Sequence, residues 1–117
     1  MIVVGIGLQE GATSEALREA VEALDLPRVD VIATVDHRAS HPAIMSLARG
    51  RTLRTFPPEA LAEVDVPAPS KRVERLAGTA SVAEAAALVA AREHDPGARL
   101  VIGKTVGDGV TVAAAEV

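Results

Sequence analysis

The sequence predicts an α/β fold, a three-layer α/β/α sandwich with a mixed sheet of about five strands. Short runs of β-branched residues alternate with segments of helical periodicity, and two extended segments separated by glycines follow at the end. Alternating strands and helices are typical of a parallel sheet covered on both faces, and a terminal hairpin adds antiparallel pairing. At 117 residues the chain is expected to form one domain, residues 1–117.

The first half of the chain contains three predicted strands separated by two helices. The strands are expected where apolar or β-branched residues run together, at residues 2–6, 29–35 and 52–56. Thr13 or Ser14 caps the first helix, whose apolar face extends to about Asp25. Pro42 begins the second helix and Gly50 ends it, because proline suits a first helical turn and glycine a helix terminus.

The second half is expected to contain helices followed by a hairpin. A short turn of helix at residues 59–63 is followed by a helix capped by Ser70 and ended by Gly78. Ser81 and Glu84 form a capping box, in which each side chain bonds a backbone N–H group of the other residue. The alanine-rich helix after it extends to about residue 93, and strands at 99–102 and 110–115 flank a glycine-containing turn.

Composition excludes several classes of function. Phe56 is the only aromatic residue, so the core is aliphatic and stacking on nucleic-acid bases is not expected. Twelve Lys and Arg against 16 Asp and Glu give a net charge of −4, which does not attract polyanions at long range. The absence of cysteine excludes disulfides and thiol sites. With no signal-peptide pattern or membrane-length apolar segment, a cytoplasmic protein without membrane or nucleic-acid partners is expected.

The loop after the first strand is the first candidate ligand site. Gly5, Gly7 and Gly11 let backbone approach a ligand, and the helix beginning near Thr13 offers unpaired N–H groups to an anion. The alternative is a tight turn with no ligand. Glu10 breaks the dinucleotide fingerprint, so a nucleotide cofactor is not expected.

Polar residues after the second strand form the next candidate. Thr34, Asp36 and Arg38 lie where ligands bind in α/β folds, Asp36 as a tentative catalytic base and Arg38 as a carboxylate ligand. The alternative is that Asp36 and Ser40 cap the helix that follows.

Histidines and arginines near this strand end are further candidates. His37 and His41 have no third ligand in the sequence pattern, so solvated histidines and no metal site are expected. Arg49, Arg51 and Arg54 either extend a basic rim from Arg38 or complement a helix end.

Two helix N-termini and a lysine complete the candidates. The predicted helices that begin after Ser70 and Ser81 could direct N–H groups at one anion, although capping alone explains both serines. Lys104 either holds a carboxylate as a point charge or protects a sheet edge from aggregation.

These segments form an ordered set that resembles the C-terminal domain of the CbiG proteins and the stand-alone CobE proteins of cobalamin (vitamin B12) biosynthesis. The resemblance covers nearly the whole chain. It is carried by V-G-I-G at 4–7 with Gly11 and Thr13, A-T-V-D at 33–36, Phe56 with Leu61, V-P-A-P-S at 66–70, residues 78–88, Lys104 and V-T-V-A at 110–113. Members usually carry a cysteine and basic residues where this chain has Leu8, Gln9 and Glu10, so a basic clamp does not transfer there.

The resemblance implies a pathway protein that binds or acts on an anionic corrin-ring precursor, a precorrin or cobalt-precorrin, and passes it to other enzymes of the pathway. One alternative is hydrolysis of the cobalt-precorrin-5A lactone with release of acetaldehyde, in which Asp36 activates water and Arg38 or Lys104 stabilises the oxyanion. Another is a non-catalytic module that docks on a partner carrying the N-terminal domains of the longer CbiG proteins. No cofactor is expected.

Overall fold

The computed structural model describes residues 1–64 and 81–117. The predicted helix capped by Ser70, and Gly78, lie outside these residues. A 3-10 turn, Asp36–Arg38, follows the second strand. The helices and strands are β1 (Ile2–Leu8), α1 (Ser14–Glu22), β2 (Val31–Val35), α2 (Pro42–Leu47), β3 (Thr52–Phe56), α3 (Pro58–Ala62), α4 (Val82–Arg92), β4 (Arg99–Val106) and β5 (Val110–Glu116).

The strands form one mixed sheet in the order β3-β2-β1-β5-β4, which confirms the predicted fold class. The three strands β1, β2 and β3 are parallel, with Val3 opposite Val31 and Val31 opposite Thr52. The hairpin partner β5 is antiparallel to both β1 and β4. The carboxyl ends of β1, β2, β3 and β4 therefore lie at the same edge of the sheet.

Alternate residues of the sheet face two separate cores, which gives the three layers. Val3 and Val31 pack with α3 and α4 on one face, whereas Val4 and Ile32 pack with α1 and α2 on the other. This period of two is expected of strands covered on both sides.

Helix α4 lies unusually close to β1. A Cβ atom placed on Gly5 would be 1.9 Å from the Ala83 carbonyl oxygen and 2.6 Å from the Ala87 backbone nitrogen. Gly5 is therefore needed for packing, because any larger residue would push the helix from the sheet. The alanines of α4 also allow this close approach, because their side chains are small. These side chains are almost fully buried.

Helix α1 is shorter than predicted. It ends at Glu22 rather than near Asp25. Asp25 has a φ of 54°, and its backbone N–H donates to the Glu22 carbonyl oxygen. A residue in this left-handed conformation changes the direction of the chain and is typical of a helix end.

The alternative in which Asp36 and Ser40 cap the turn into α2 was wrong. His41, not Asp36 or Ser40, caps this helix, because its Nδ1 atom accepts the Ala43 backbone N–H at 3.0 Å. Within the described ranges, no helix has both the length and the apolar character needed to cross a membrane.

Candidate functional site

The candidate site begins where β1 and β2 separate. Their paired residues end at Gly5 and Ala33, while β1 continues beside β5. Beyond this point the fully buried Thr34 hydroxyl donates to the Ile6 carbonyl oxygen at 2.8 Å. A side chain thus links the diverging strands, and a gap opens at their carboxyl ends. The predicted ligand residue Thr34 holds the strands at this gap.

A cleft of about 330 Å³ occupies the gap. It is bounded by the ends of β1 and β2, the short helix α3 and the first turn of α4. The described residues that line it are Gly7, Leu8, Val35, His37, Arg38, Pro58, Leu61, Ala62, Val82 and Ala85. This lining is mainly apolar, with His37 and Arg38 as its ionisable side chains. Such a surface suits a largely apolar ligand that carries a few polar groups.

Arg38 is the predicted site residue that the structure places in the cleft with a fixed orientation. Its Nε–H group donates to the Leu8 carbonyl oxygen at 3.1 Å, which bridges the ends of β2 and β1. Within the described part of the chain, its terminal amino groups have no ion-pair or hydrogen-bond partner. They therefore present a planar pair of donors suited to a carboxylate.

The first turn of α4 forms the opposite wall. Ser81 Oγ accepts the Glu84 backbone N–H at 3.1 Å, which confirms the predicted cap. The reciprocal half of the capping box was wrong, because the Glu84 carboxylate instead accepts the Lys104 backbone N–H at 3.1 Å. Val82 borders the cleft, and a Cβ atom on Gly7 would lie 3.4 Å from the Val82 Cβ atom. Gly7 thus lies next to this wall.

His41 holds the loop after β1. Because Nδ1 accepts the Ala43 N–H, the ring proton is assigned to Nε2, which donates to the Glu10 carbonyl oxygen at 2.8 Å. With the Arg38–Leu8 bond, the β2–α2 connection fixes this loop at two points. The expectation of a solvated histidine was therefore wrong for His41.

Three predicted residues near the amino terminus do not line the cleft. Gly5 lies beneath α4, and Gly11 is exposed with open space around it. Thr13 caps α1 on the opposite face of the sheet, its hydroxyl accepting the Ala16 N–H at 3.0 Å.

The remaining predicted residues are dispersed. Asp36 is exposed and does not line the cleft, although its neighbours His37 and Arg38 do. Lys104 lies in β4, also outside the cleft lining. Ser70 lies outside the described residues. Residues 1–64 and 81–117 contain no group of three potential metal ligands placed to hold an ion.

Of the two alternatives for Arg49, Arg51 and Arg54, the basic rim does not form as a unit. Arg51 Nη1 donates to the Leu47 carbonyl oxygen at 2.7 Å, which matches the helix-end alternative. Arg54 contacts both carboxylate oxygens of Glu93 at 2.8 and 2.6 Å. This pairing lowers the pKa of Glu93, chiefly through the hydrogen bond from Arg54, and raises that of Arg54.

The apolar lining of the cleft was not predicted from the sequence. Five apolar side chains border the cleft, those of Leu8, Val35, Pro58, Leu61 and Val82. One signal was available, because residues that directly follow parallel strands collect at one edge of the sheet. A second hollow of about 210 Å³ adjoins the first, between the β1 loop and the β4–β5 hairpin, and the two hollows share Gly7 and Leu8.

Fold and cleft together define a small three-layer α/β protein whose candidate binding site lies at the carboxyl ends of its parallel strands. The sequence matches the family model described as cobalamin synthesis G C-terminus over residues 2–115. The chain therefore belongs to this family, which confirms the resemblance, and it is a protein of cobalamin biosynthesis.

Solved structures agree with this assignment. CobE, "a protein from the cobalamin (vitamin B12) biosynthetic pathway", is 30% identical with a TM-score of 0.81, covering 100% of this chain and 93% of its own. The cobalamin biosynthesis protein chiG of Agrobacterium tumefaciens is 33% identical with a TM-score of 0.72, and the match covers 98% of this chain and 97% of that one.

A more distant structure shares the fold. A putative cobalamin biosynthesis protein G homolog of Sulfolobus solfataricus is 22% identical with a TM-score of 0.71, covering 97% of this chain and 36% of that one. No curated protein matches the sequence.

Proposed function

We propose that the protein binds an anionic corrin-ring precursor at the cleft and passes it to other enzymes of the pathway. The observation that carries this proposal is an apolar cleft with one guanidinium held at its edge by the Leu8 carbonyl. An apolar wall suits the macrocycle, and Arg38 suits one of its acetate or propionate carboxylates. Membership of the cobalamin family supports this ligand class.

The size of the cleft indicates how the ligand would bind. A volume of about 330 Å³ is near the lower limit for small-molecule sites, roughly 300 Å³. We therefore expect the cleft to receive one edge of the macrocycle with its carboxylate arm, while the rest of the ring covers the surface beside it.

Binding is favoured over hydrolysis by the position of Asp36. A general base must reach the water that it activates, and this exposed carboxylate stands outside the cleft lining. Lactone hydrolysis with release of acetaldehyde stays a prediction, and so does docking on a protein that supplies further domains.

The test is a titration of the purified chain with hydrogenobyrinic acid and with a cobalt-containing counterpart, followed by tetrapyrrole absorbance. Saturable binding is expected, and Arg38→Met should weaken it about tenfold, since a charged hydrogen bond contributes about 1.5 kcal/mol. Arg49→Met is the matched control, because this exposed arginine lies outside the cleft lining. Absence of binding to either compound, or equal weakening by both substitutions, would contradict the proposal.

A further inference from the structure

We infer that Glu84 is a positioning residue that fixes Lys104 as a second carboxylate contact, at a distance from Arg38. Glu84 is 4% exposed, in the first turn of α4. Its Oε2 atom accepts the Lys104 backbone N–H at 3.1 Å, which joins the helix to β4. Burying a carboxylate costs free energy unless the group is hydrogen-bonded, and the Lys104 N–H supplies such a bond to Glu84.

The bond falls on an irregularity of the sheet. Ile102 pairs with Ala114 and Thr105 pairs with Val112, so β4 advances three residues while β5 advances two. Such a bulge leaves a backbone group without its ladder partner. The Glu84 carboxylate takes the place of that partner.

Gly103 lies next to the carboxylate. A Cβ atom on this residue would lie 3.4 Å from Glu84 Oε2. The bulge, the glycine and the buried acid therefore form one arrangement that fixes the backbone at Lys104. Bulges re-aim side chains, and here the residue whose backbone is held is a lysine.

The charges of this arrangement are separated. Across residues 1–64 and 81–117, neither Glu84 nor Lys104 takes part in an ion pair. Glu84 lies in the first turn of α4, where an acidic side chain complements the helix dipole, and its side chain accepts the Lys104 N–H. The exposed Lys104 ammonium thus remains available to an external anion.

Lys104 and Arg38 lie at the same edge of the sheet but on separate parts of it. Arg38 follows β2 and reaches the end of β1, where its Nε–H group donates to the Leu8 carbonyl oxygen, and Lys104 is near the carboxyl end of β4, two strands beyond β1. At about 4.8 Å per strand, these two strand positions are roughly 10 Å apart. If the proposed function holds, two cations so placed would bind two different arms of one polycarboxylate tetrapyrrole. The inference therefore adds to the proposed function and rests on it.

The first experiment needs no ligand and measures hydrogen exchange of the Lys104 amide by NMR. The wild-type amide should be protected even though β4 is an edge strand. Glu84→Gln should retain protection, because the amide oxygen still accepts the N–H, whereas Glu84→Leu should lose it. Exchange at the rate of an exposed peptide in the wild type would overturn the inference, whether or not the leucine variant folds.

The second experiment measures affinity for hydrogenobyrinic acid. Lys104→Met should weaken binding about three- to tenfold, Glu84→Leu should do the same, and the double variant should show no further loss. Glu84→Gln should bind like the wild type. Arg99→Met, an exposed charge on the same strand, is the matched control and should have no effect.

The outcomes separate the two proposals. If the wild type does not bind, the proposed function fails, and so does the ligand role of Lys104. If the wild type binds and Arg38→Met weakens binding while Lys104→Met does not, the proposed function stands and the positioning role of Glu84 is refuted.

Discussion

The two faces of the sheet are covered in different ways. On one face, α4 packs through alanines directly over Gly5. On the other, α1 and α2 contact the sheet through larger side chains such as Leu17 and Ile44. The separation of a helix from a sheet depends on the residues between them. The close contact on the α4 face lets the first turn of this helix border the cleft and lets Glu84 reach β4.

The largest effect is expected from adding one methyl group to the close face. Gly5→Ala would place a carbon 1.9 Å from the Ala83 carbonyl oxygen, so helix or strand must move. We expect a loss of at least about 4 kcal/mol in the free energy of unfolding, or failure to fold. Denaturant unfolding followed by circular dichroism measures it.

Gly11→Ala is the control for this substitution. A Cβ atom at Gly11 meets nothing within 4 Å, so stability should change little. Equal stability of the two variants would show that α4 does not pack on β1 as described.

The opposite face should respond to removal of atoms instead. Leu17 is fully buried in the α1–α2 core, and Leu17→Ala would leave a cavity there. We expect a loss of about 3 kcal/mol, measured by the same unfolding experiment. Leu24→Ala, a partly buried position near the end of α1, should cost clearly less, and a larger loss at Leu24 would contradict the assignment of this core.

Regular strands were predicted from the sequence more accurately than irregularities within them, such as bulges. The third strand was predicted with its observed bounds, because β-branched residues ended by prolines leave few alternatives. The two bulges that lengthen β4 to Val106 were missed, because the glycine at 103 is typical of a strand end as well as of a bulge.

The position of the candidate site could be predicted from the sequence, but the contacts that its residues make could not. Strand-end reasoning placed Arg38 at the cleft. It could not show that Thr34 bonds β1, or that Glu84 turns from its own helix cap to β4. Both choices depend on which strands lie side by side, a long-range fact that local patterns do not contain.

A smaller effect is expected where the strands separate. Thr34→Val removes the hydroxyl that donates to the Ile6 carbonyl oxygen while keeping the side-chain shape. We expect a loss of about 1 kcal/mol in stability, since one buried carbonyl loses its partner. Thr55→Val on the neighbouring strand β3 is the control, because Thr55 is partly exposed. A neutral Thr34→Val would mean that the backbone of β2 compensates for the lost bond.

The smallest effect concerns an ion pair on the α4 face. The hydrogen bond from Arg54 holds the pKa of Glu93 below its ordinary value. A carboxyl group whose folded pKa is depressed adds stability above its unfolded pKa, and this stability is lost as the pH falls through the folded pKa. Because both side chains are about 40% exposed (43% and 37%), we expect less than about 1 kcal/mol.

Glu93→Gln should therefore be slightly less stable than the wild type at pH 7, and the difference should vanish in acid, as the pH falls through the lowered pKa of Glu93. Asp30, whose pKa is lowered chiefly by the Ile2 backbone N–H, also titrates in acid, but it is present in both proteins and cancels from the difference. Glu22→Gln removes the ion pair between Glu22 and Arg18, which are one turn apart on α1, on the opposite face of the sheet. Their charged atoms are 3.3 Å apart, and the loss of stability at pH 7 should be smaller than for Glu93→Gln. A Glu93→Gln difference that persisted in acid would show that the glutamine disturbs packing against α4, and the charge of Glu93 would then not be its cause.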